Sequence, residues 1–348
     1  MLAGLTLKYA PNRIAEQILS GNEPINAELY KHYSGNLRKA VETVYHDSGG
    51  DVLKANVSRF AAYKAYHATQ IARMERVDKS TGEILNQQKV AQATLKQMQA
   101  WQTTEYNTTV KRARVAKQWE QYNEPNRLRL FPNVKWLPSA SSNQREEHKP
   151  FYNRIWAKND PFWNSNMPGS LWNCKCSIQE TDGNVTENGS VPTVKPARGL
   201  EGNPGITGEI FTEKASYFQV ENIEQIAYST ARKVALSDAI STLKSKTVEK
   251  DTKTGKILIG FNRKGLEHLQ YDYFPNKWVR DEYLRKMDIV LQNAEYADEA
   301  DCLKDNPMVD KFYYYKATLA GKEWFLNVRK LKDGKAYLYS MTEKIKRK

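Results

Sequence analysis

The region from Leu53 to Met74 carries apolar residues at alternating spacings of four and three, with one polar interruption at Lys64. The residues of this stripe are Leu53, Val57, Phe60, His67, Ile71 and Met74. Such a period is typical of a long helix that packs on another helix. We therefore interpret His67 as a residue at the edge of a helical core rather than as a ligand.

A second helical run follows a polar turn at residues 79–82 and extends to about Tyr122. Its large apolar positions are Leu95, Met98, Trp101, Val115 and Trp119. The two runs predict a helical hairpin that leads into a compact, loop-rich knob.

The composition changes at residues 182–208, where Gly, Pro, Asn and Ser are dense and large apolar residues are rare. Such a segment is typical of a linker. The sequence therefore predicts a first domain at residues 1–181, a linker at 182–208 and a second domain at 209–348.

The second domain is predicted to consist of helices followed by an antiparallel sheet. The helices are expected at residues 220–243, 262–272 and 277–293. The strands are expected as a hairpin at 246–250 and 256–261, and as a three-stranded meander at 311–318, 323–330 and 335–342. With a mainly α-helical first domain, the fold class is α+β.

Residues 145–176 combine one histidine, three tryptophans and a Cys-Lys-Cys, and they admit three alternatives. His148, Cys174 and Cys176 are ligands of the kinds that zinc prefers, with Asp160 as a candidate fourth, so one alternative is a structural zinc site. In the second, the cysteines are small buried hydrophobes among aromatic rings. In the third, Cys174 and Cys176 form a disulfide, which would close a very tight ring. We expect the His148, Cys174 and Cys176 side chains to lie close together in one small cluster, with or without a metal ion.

This motif, with residues 101–122 and 131–148 before it, resembles the closing part of the phage Mu F-like head morphogenesis (minor head protein) family. The resemblance covers roughly residues 50–180. It implies a protein of the virion that contacts the portal and capsid proteins inside the phage head.

The charge of the chain points to polyanionic partners. The formal net charge is +13, the isoelectric point is about 9.3, and the positive charge is spread along the sequence. Nucleic acid is the natural candidate partner. The chain has three cysteines, an N-terminal segment that acquires charge too early for a signal peptide, and no window that approaches a membrane span. We therefore expect a protein made in a cytoplasm, without a membrane partner.

The end of the chain, with Leu-Glu-His-Leu-Gln-Tyr-Asp around His268, a helix and three strands, resembles the nuclease superfamily of barnase, EndoU, colicin toxins and RelE. Domains of this kind occur at the C-terminus of phage head proteins. The resemblance implies a ribonuclease that acts as a toxin or effector, with RNA as substrate and an immunity protein as a further candidate partner.

RNA can be cut without a metal cofactor if one group moves the proton of the 2′-hydroxyl and cations hold the charge on the phosphate. His268 is the only histidine after His148, and it is the candidate for proton transfer. Strand alternation places Trp324, Leu326 and Val328 on the core face of the middle strand. The other candidates are Arg329 and Lys316 as phosphate clamps, Ser340 and Thr342 as hydroxyl donors, and Tyr313 and Tyr315 as base-stacking platforms.

Each candidate also has a structural interpretation. A lone histidine at a helix edge is more often structural, and lysines, arginines and threonines on strands are usually solvated or protect a sheet edge. Three functions therefore stay open. The first is a minor head protein that carries a metal-independent ribonuclease, and the second is a toxin with a packaging device. The third is a basic adaptor, without enzyme activity, that binds the portal and packaged DNA.

Overall fold

The structure is a computed structural model that describes residues 8–46, 49–186, 194–302 and 306–345 of the chain. Contacts divide the chain into two compact units, Met1–Tyr228 and Ser229–Lys348. This boundary falls within a helix, later than the position near residue 209 that composition suggests. No helix in the described ranges is long and apolar enough to cross a membrane.

Four helices pack together at the start of the first unit: α1 (Pro11–Ser20), α2 (Ala27–Tyr45), α3 (Asp51–Arg73) and α4 (Gln87–Tyr122). Helices α3 and α4 confirm the predicted pair, and α1 and α2 were not predicted. Close packing of α3 is possible because it buries a series of small side chains: Ala55, Ala61, Ala62, Ala65, Ala68 and Ala72. His67 lies at the edge of this core with its Nε2 3.0 Å from the backbone oxygen of Tyr217, which agrees with the interpretation from the sequence.

The polar interruption of the α3 stripe is half of a buried ion pair. The ammonium of Lys64 is fully excluded from solvent, contacts the carboxylate of Glu105 on α4, and lies 4.5 Å from the ring centroid of Tyr33. Burial lowers the pKa of Lys64 and raises the pKa of Glu105. Each charge therefore depends on its partner to remain ionised inside the helical core.

The knob contains helix α5 (Pro125–Leu130) and a small antiparallel sheet. In this sheet, β1 (Asn133–Leu137) lies between β2 (Ile155–Ala157) and β3 (Ser177–Thr181). A 3₁₀ helix spans Glu146–Phe151, and a short helix, α6, spans Phe162–Ser165. The knob packs around large buried side chains: Trp119, Val134, Trp136, Phe151, Trp156, Trp163, Met167 and Ile178.

Arg112 on α4 holds the chain that follows the knob. Its guanidinium is fully buried and donates to the backbone carbonyls of Gly169, Leu200, Glu201, Gly202 and Glu209 at 2.8–3.5 Å. Leu200 and Asn203 are fully buried, and the short helix α7 (Pro204–Thr207) packs on α4. Buried hydrogen bonds from Arg112 and buried apolar side chains such as Leu200 therefore hold this segment within the first unit.

The second unit is built on a six-stranded sheet in the order β4-β5-β9-β8-β7-β6. Its strands are β4 (Thr247–Thr252), β5 (Gly255–Gly260), β6 (Glu295–Asp301), β7 (Val309–Leu319), β8 (Lys322–Leu331) and β9 (Ala336–Thr342). The α+β class is confirmed. The sheet departs from the prediction in two ways, because acidic strand β6 was not predicted and β5 pairs with β9 in parallel.

Four helices accompany this sheet: α8 (Glu224–Leu243), α9 (Arg263–Leu269), α10 (Lys277–Arg285) and α11 (Met287–Asn293). The helix predicted at 277–293 is broken at Lys286, where φ is −126°. The predicted core face of β8 is confirmed, since Trp324, Leu326 and Val328 are almost fully buried. Gly265 of α9 lies so close to the carbonyl of Leu338 that a Cβ there would clash, and this approach places α9 beside β9.

Candidate functional sites

The first candidate site is the Cys/His cluster, which consists of His148, Cys174 and Cys176. His148 belongs to the 3₁₀ helix, and the cysteines lie just before β3. The Nδ1 atom of His148 is 3.6 Å from Sγ of Cys174 and 3.4 Å from Sγ of Cys176, and all three side chains are buried. The prediction that these residues form one cluster is confirmed, and all three cysteines of the chain are free thiols, so the disulfide alternative is wrong.

The geometry of the Cys/His cluster fits a tetrahedral metal ion. With a zinc–nitrogen bond of about 2.0 Å and a zinc–sulfur bond of about 2.3 Å, the nitrogen and sulfur of a tetrahedral site lie roughly 3.5 Å apart. The two nitrogen–sulfur distances bracket this value. The described residues supply three ligands that could hold a metal ion. Asp160 is not one of them, because its Oδ1 accepts the backbone N–H of Phe162 at 2.8 Å at the start of α6.

The surroundings of the Cys/His cluster are both aromatic and polar. The His148 ring packs 5.5 Å from Trp136 and 6.1 Å from Phe151, so the aromatic packing expected from the sequence coexists with the ligand geometry. The hydrogen bond between the two thiols lowers the pKa of Cys174 and raises the pKa of Cys176. One of the two sulfurs is therefore prepared to act as a thiolate, the form that binds metal ions.

The second candidate site is centred on His268, near the C-terminal end of α9. Its Nδ1 is 3.3 Å from Oδ1 of Asp272, and its side chain is 42% exposed. The other oxygen of Asp272 accepts the backbone N–H of Met341 on β9 at 2.7 Å. Burial raises the pKa of Asp272, and this change is opposed by the Met341 amide and by His268. The carboxylate therefore links the histidine to strand β9, which lies between β5 and β8 in the sheet.

Tyr339 connects His268 to Arg329. The His268 and Tyr339 ring centroids are 4.4 Å apart, and the guanidinium carbon of Arg329 lies 3.5 Å from the Tyr339 centroid. A bulge in the β8–β9 pairing causes this arrangement, because Ser340 pairs with Asn327 and Leu338 with Val328, which leaves Tyr339 as the extra residue. The bulge brings the Tyr339 ring to Arg329 beside the histidine.

The sheet face that carries Arg329 also carries the other predicted residues. Ser340 lies opposite Asn327 and is buried, and the Oδ1 of Asn327 and the Nε of Arg329 are buried without a hydrogen-bond partner. Thr342 and Lys316 lie on either side of Phe325, about 13 Å along the strands from Arg329.

The two distant residues already have partners. Lys316 pairs with Glu323 at 3.4 Å, and the hydroxyl of Thr342 donates to the carbonyl of Lys344 at 2.9 Å. The structure therefore brings His268, Arg329 and Ser340 to one region of the sheet, and it leaves Lys316 and Thr342 at its far end.

The predicted base-stacking platforms are not available to a ligand. Tyr313 and Tyr315 are 3% and 0% exposed, because they pair with Val328 and Leu326 on the core face of the sheet. Tyr271 and Tyr273, which flank Asp272, are instead 75% and 69% exposed.

Two members of the His268 site, Asp272 and Tyr339, were not predicted from the sequence. The four-residue spacing from His268 to Asp272 was a usable signal, since it places both side chains on one face of a helical turn. No pattern in the sequence marks the bulge at Tyr339. Comparisons with protein-family models, curated proteins and solved structures find no match to this chain.

Proposed function

We propose that the second unit is a metal-independent endoribonuclease and that His268 transfers the proton. The observation that carries this proposal is the contact of His268 and Arg329 with the same Tyr339 ring, with Asp272 behind the histidine. This arrangement combines a half-exposed imidazole, a carboxylate that orients it, and a cation with no carboxylate partner among the described residues. These are the parts that phosphate ester cleavage by a 2′-hydroxyl needs.

The proposed reaction is the attack of the 2′-oxygen on the adjacent phosphorus. Nδ1 of His268 is the nitrogen next to Asp272, so we assign Nε2 as the nitrogen that accepts the proton of the 2′-hydroxyl. Arg329 offsets the negative charge that grows on the phosphate oxygens. The bond to the 5′-oxygen breaks, and this oxygen leaves with a proton from solvent. The products are a 2′,3′-cyclic phosphate and a 5′-hydroxyl.

Tyr271 is the residue we propose for binding a base of the substrate. The guanidinium of Arg232 lies 3.9 Å from its ring centroid, and Arg232 is fixed in turn by two hydrogen bonds with the buried Gln270. The other face of the ring remains open for stacking with an unpaired base. The proposed substrate is therefore single-stranded RNA.

The test of this chemistry compares matched oligonucleotides with the full-length protein. An RNA, a DNA of the same sequence and an RNA with 2′-O-methyl groups are each incubated with the protein in a chelator. We expect cleavage of the RNA alone, with cyclic phosphate ends. Cleavage of DNA, a need for magnesium, or an intact RNA after long incubation would contradict the proposal, and the last result would favour the basic adaptor.

For the first unit, we propose the role of a minor head protein that contacts portal and capsid subunits in the virion. The support is the resemblance of residues 50–180 to the Mu F-like family, together with the net charge of +13, which suits a protein near packaged DNA. Recovery of the protein in purified phage heads, and its co-purification with portal or capsid subunits, tests this role. Its absence from purified heads would contradict it.

We further propose that the Cys/His cluster holds a structural zinc ion through His148, Cys174 and Cys176. The ion would fix the 3₁₀ helix to the chain before β3. We expect about one zinc per chain by elemental analysis and much less in Cys174→Ser, with Cys302→Ser as the matched control. Equal zinc in all three proteins would contradict the site.

A further inference from the structure

A polar cleft of about 760 Å³ opens beside the Cys/His cluster within the first unit. Its wall is formed by α4, by residues 139–145 and by residues 173–176, and the sulfurs of Cys174 and Cys176 belong to its lining. This volume falls in the range of small-molecule sites. Most of the residues that line it nevertheless carry polar or charged side chains.

The charges of the cleft all have one sign. Among the residues that the structure describes, the cleft is lined by four cationic side chains and by no carboxylate. The four cations are Lys111, Arg114, Arg145 and Lys175. None of the four forms an ion pair within the ranges that the structure describes. Arg145 donates to the carbonyl of Trp172 at 2.6 Å, which directs it to this region without neutralising it. Four like charges around one cavity repel one another unless an anion enters.

The Cys/His cluster cannot supply the missing negative charge once a divalent metal is bound. Two thiolates and a neutral imidazole balance the two charges of the ion, so the cationic residues remain unopposed. Without a metal, even two thiolates would carry less negative charge than the positive charge of the four cations together. The excess of positive charge in the cleft is thus present in either state.

Besides the apolar Val110 and Ala140, the lining contains several side chains that donate hydrogen bonds. They include the amides of Asn107, Asn143 and Asn173 and the hydroxyls of Ser139 and Ser141. Lysine and arginine with amide and hydroxyl donors are the groups that proteins use to hold phosphate oxygens.

We propose that this cleft is a binding site for a phosphate-bearing ligand, held by Lys111 and Arg114 on α4 and by Arg145 and Lys175 opposite. The phosphates of a free nucleotide and those of a nucleic-acid backbone share this chemistry. The site is independent of the proposed ribonuclease, because all of its residues belong to the first unit.

The test is isothermal titration calorimetry, in which inorganic pyrophosphate is titrated into the full-length protein. Any chelator is removed from the protein by dialysis beforehand. We expect binding that weakens as salt is raised from 50 to 200 mM, as charge-based recognition does. Arg114→Gln and Lys111→Gln are each expected to weaken binding about tenfold, the size of one charge-assisted hydrogen bond. Lys96→Gln, an exposed lysine on α4 outside the cleft, is the matched control and should bind like the wild type.

Separate titrations with a mononucleotide and with a single-stranded DNA oligomer then distinguish the two sources of phosphate. The tighter of the two ligands, with the same dependence on Arg114, identifies the source. Arg114 is exposed, so its replacement does not threaten the fold. An absence of binding at millimolar pyrophosphate, or wild-type binding by both Arg114→Gln and Lys111→Gln, would overturn the proposal.

Discussion

The carboxylate of Asp272 lies 3.3 Å from Nδ1 of His268, and its second oxygen accepts the backbone amide of Met341. Asp272, which follows α9, is thus hydrogen-bonded through its side chain to strand β9. Because α9 also approaches β9 closely at Gly265, the position of the imidazole is fixed at two points. Nδ1 of His268 is buried and makes no hydrogen bond of normal geometry, so its ion-pair contact with Asp272 is the interaction that orients the imidazole.

Asp272→Asn should lower the rate of RNA cleavage about a hundredfold to ten-thousandfold, because the amide no longer fixes the imidazole tautomer. The stability of this variant should not fall together with its activity. Folding raises the pKa of Asp272, so the ionised carboxylate lowers the stability of the protein at pH values above the folded-state pKa. This loss is absent at pH values below the unfolded-state pKa. The variant removes this loss, and its melting temperature at pH 8 should equal or exceed that of the wild type. A parallel loss of stability and activity would instead indicate a structural role.

Tyr271→Ala should raise KM for a single-stranded RNA about tenfold or more while kcat stays near the wild-type value, since stacking contributes about 1–3 kcal/mol per base. Tyr271→Phe keeps the ring and should behave like the wild type. Tyr228→Phe would not serve as a control for stacking, because the Tyr228 ring is buried, unlike that of Tyr271. Steady-state kinetics on an unstructured oligonucleotide provides the measurement. A fall in kcat with unchanged KM would contradict a role in substrate binding.

Lys64→Met should destabilise the first unit by about 3–5 kcal/mol, because it leaves the Glu105 carboxylate buried without its partner. The double variant Lys64→Met/Glu105→Leu should recover most of this loss. Urea unfolding followed by tryptophan fluorescence reports mainly on this unit, because it contains six of the eight tryptophans of the chain: Trp101, Trp119, Trp136, Trp156, Trp163 and Trp172.

The loss in Lys64→Met should also depend on pH. Burial raises the pKa of Glu105. The loss of stability caused by its ionised form is therefore absent at pH values below the unfolded-state pKa and complete at pH values above the folded-state pKa. The difference from the wild type should therefore shrink as the pH is lowered toward 4.5, the ordinary value of the group. A difference that is constant from pH 5 to pH 8 would contradict the buried pair.

Arg112→Met should release the chain near α7 from α4. The variant leaves several buried carbonyls without a donor, at about 1–3 kcal/mol for each one that water cannot reach. We expect limited proteolysis within residues 197–210 that the wild type resists. Lys96→Met, an exposed change on the same helix, is the control and should remain resistant. Equal cleavage of Arg112→Met and the wild type would show that other contacts hold this segment.

The regular elements were largely predictable because their apolar periods are clear. The α3 stripe and the strands of the C-terminal meander follow from spacing alone, and the burial of Trp324, Leu326 and Val328 follows from strand alternation. Strand β6 could not be predicted, because Glu-Tyr-Ala-Asp-Glu-Ala-Asp contains too few β-branched and apolar residues. The attachment of residues 194–211 was also hidden, because much of it consists of backbone groups that hydrogen-bond to the distant side chains of Arg112 and Asn56.

The candidate sites were predictable where one residue type is rare. The Cys/His cluster followed from the only Cys-x-Cys of the chain, and His268 followed from the scarcity of histidine. The error at Tyr313 and Tyr315 arose because three consecutive tyrosines conceal which of them face the core. The role of Tyr339 depends on a bulge, and register shifts of this kind leave no period in the sequence.

The most direct test of the central claim measures RNA cleavage by full-length wild type and His268→Ala in excess EDTA. The account predicts that the wild type cleaves RNA without added metal and that His268→Ala is slower by about a hundredfold or more, with an unchanged melting temperature. His67→Ala, which removes a histidine from the first unit, should cleave like the wild type. Full activity of a folded His268→Ala protein would contradict the assignment of the site, and intact RNA with the wild type would contradict the proposed enzyme.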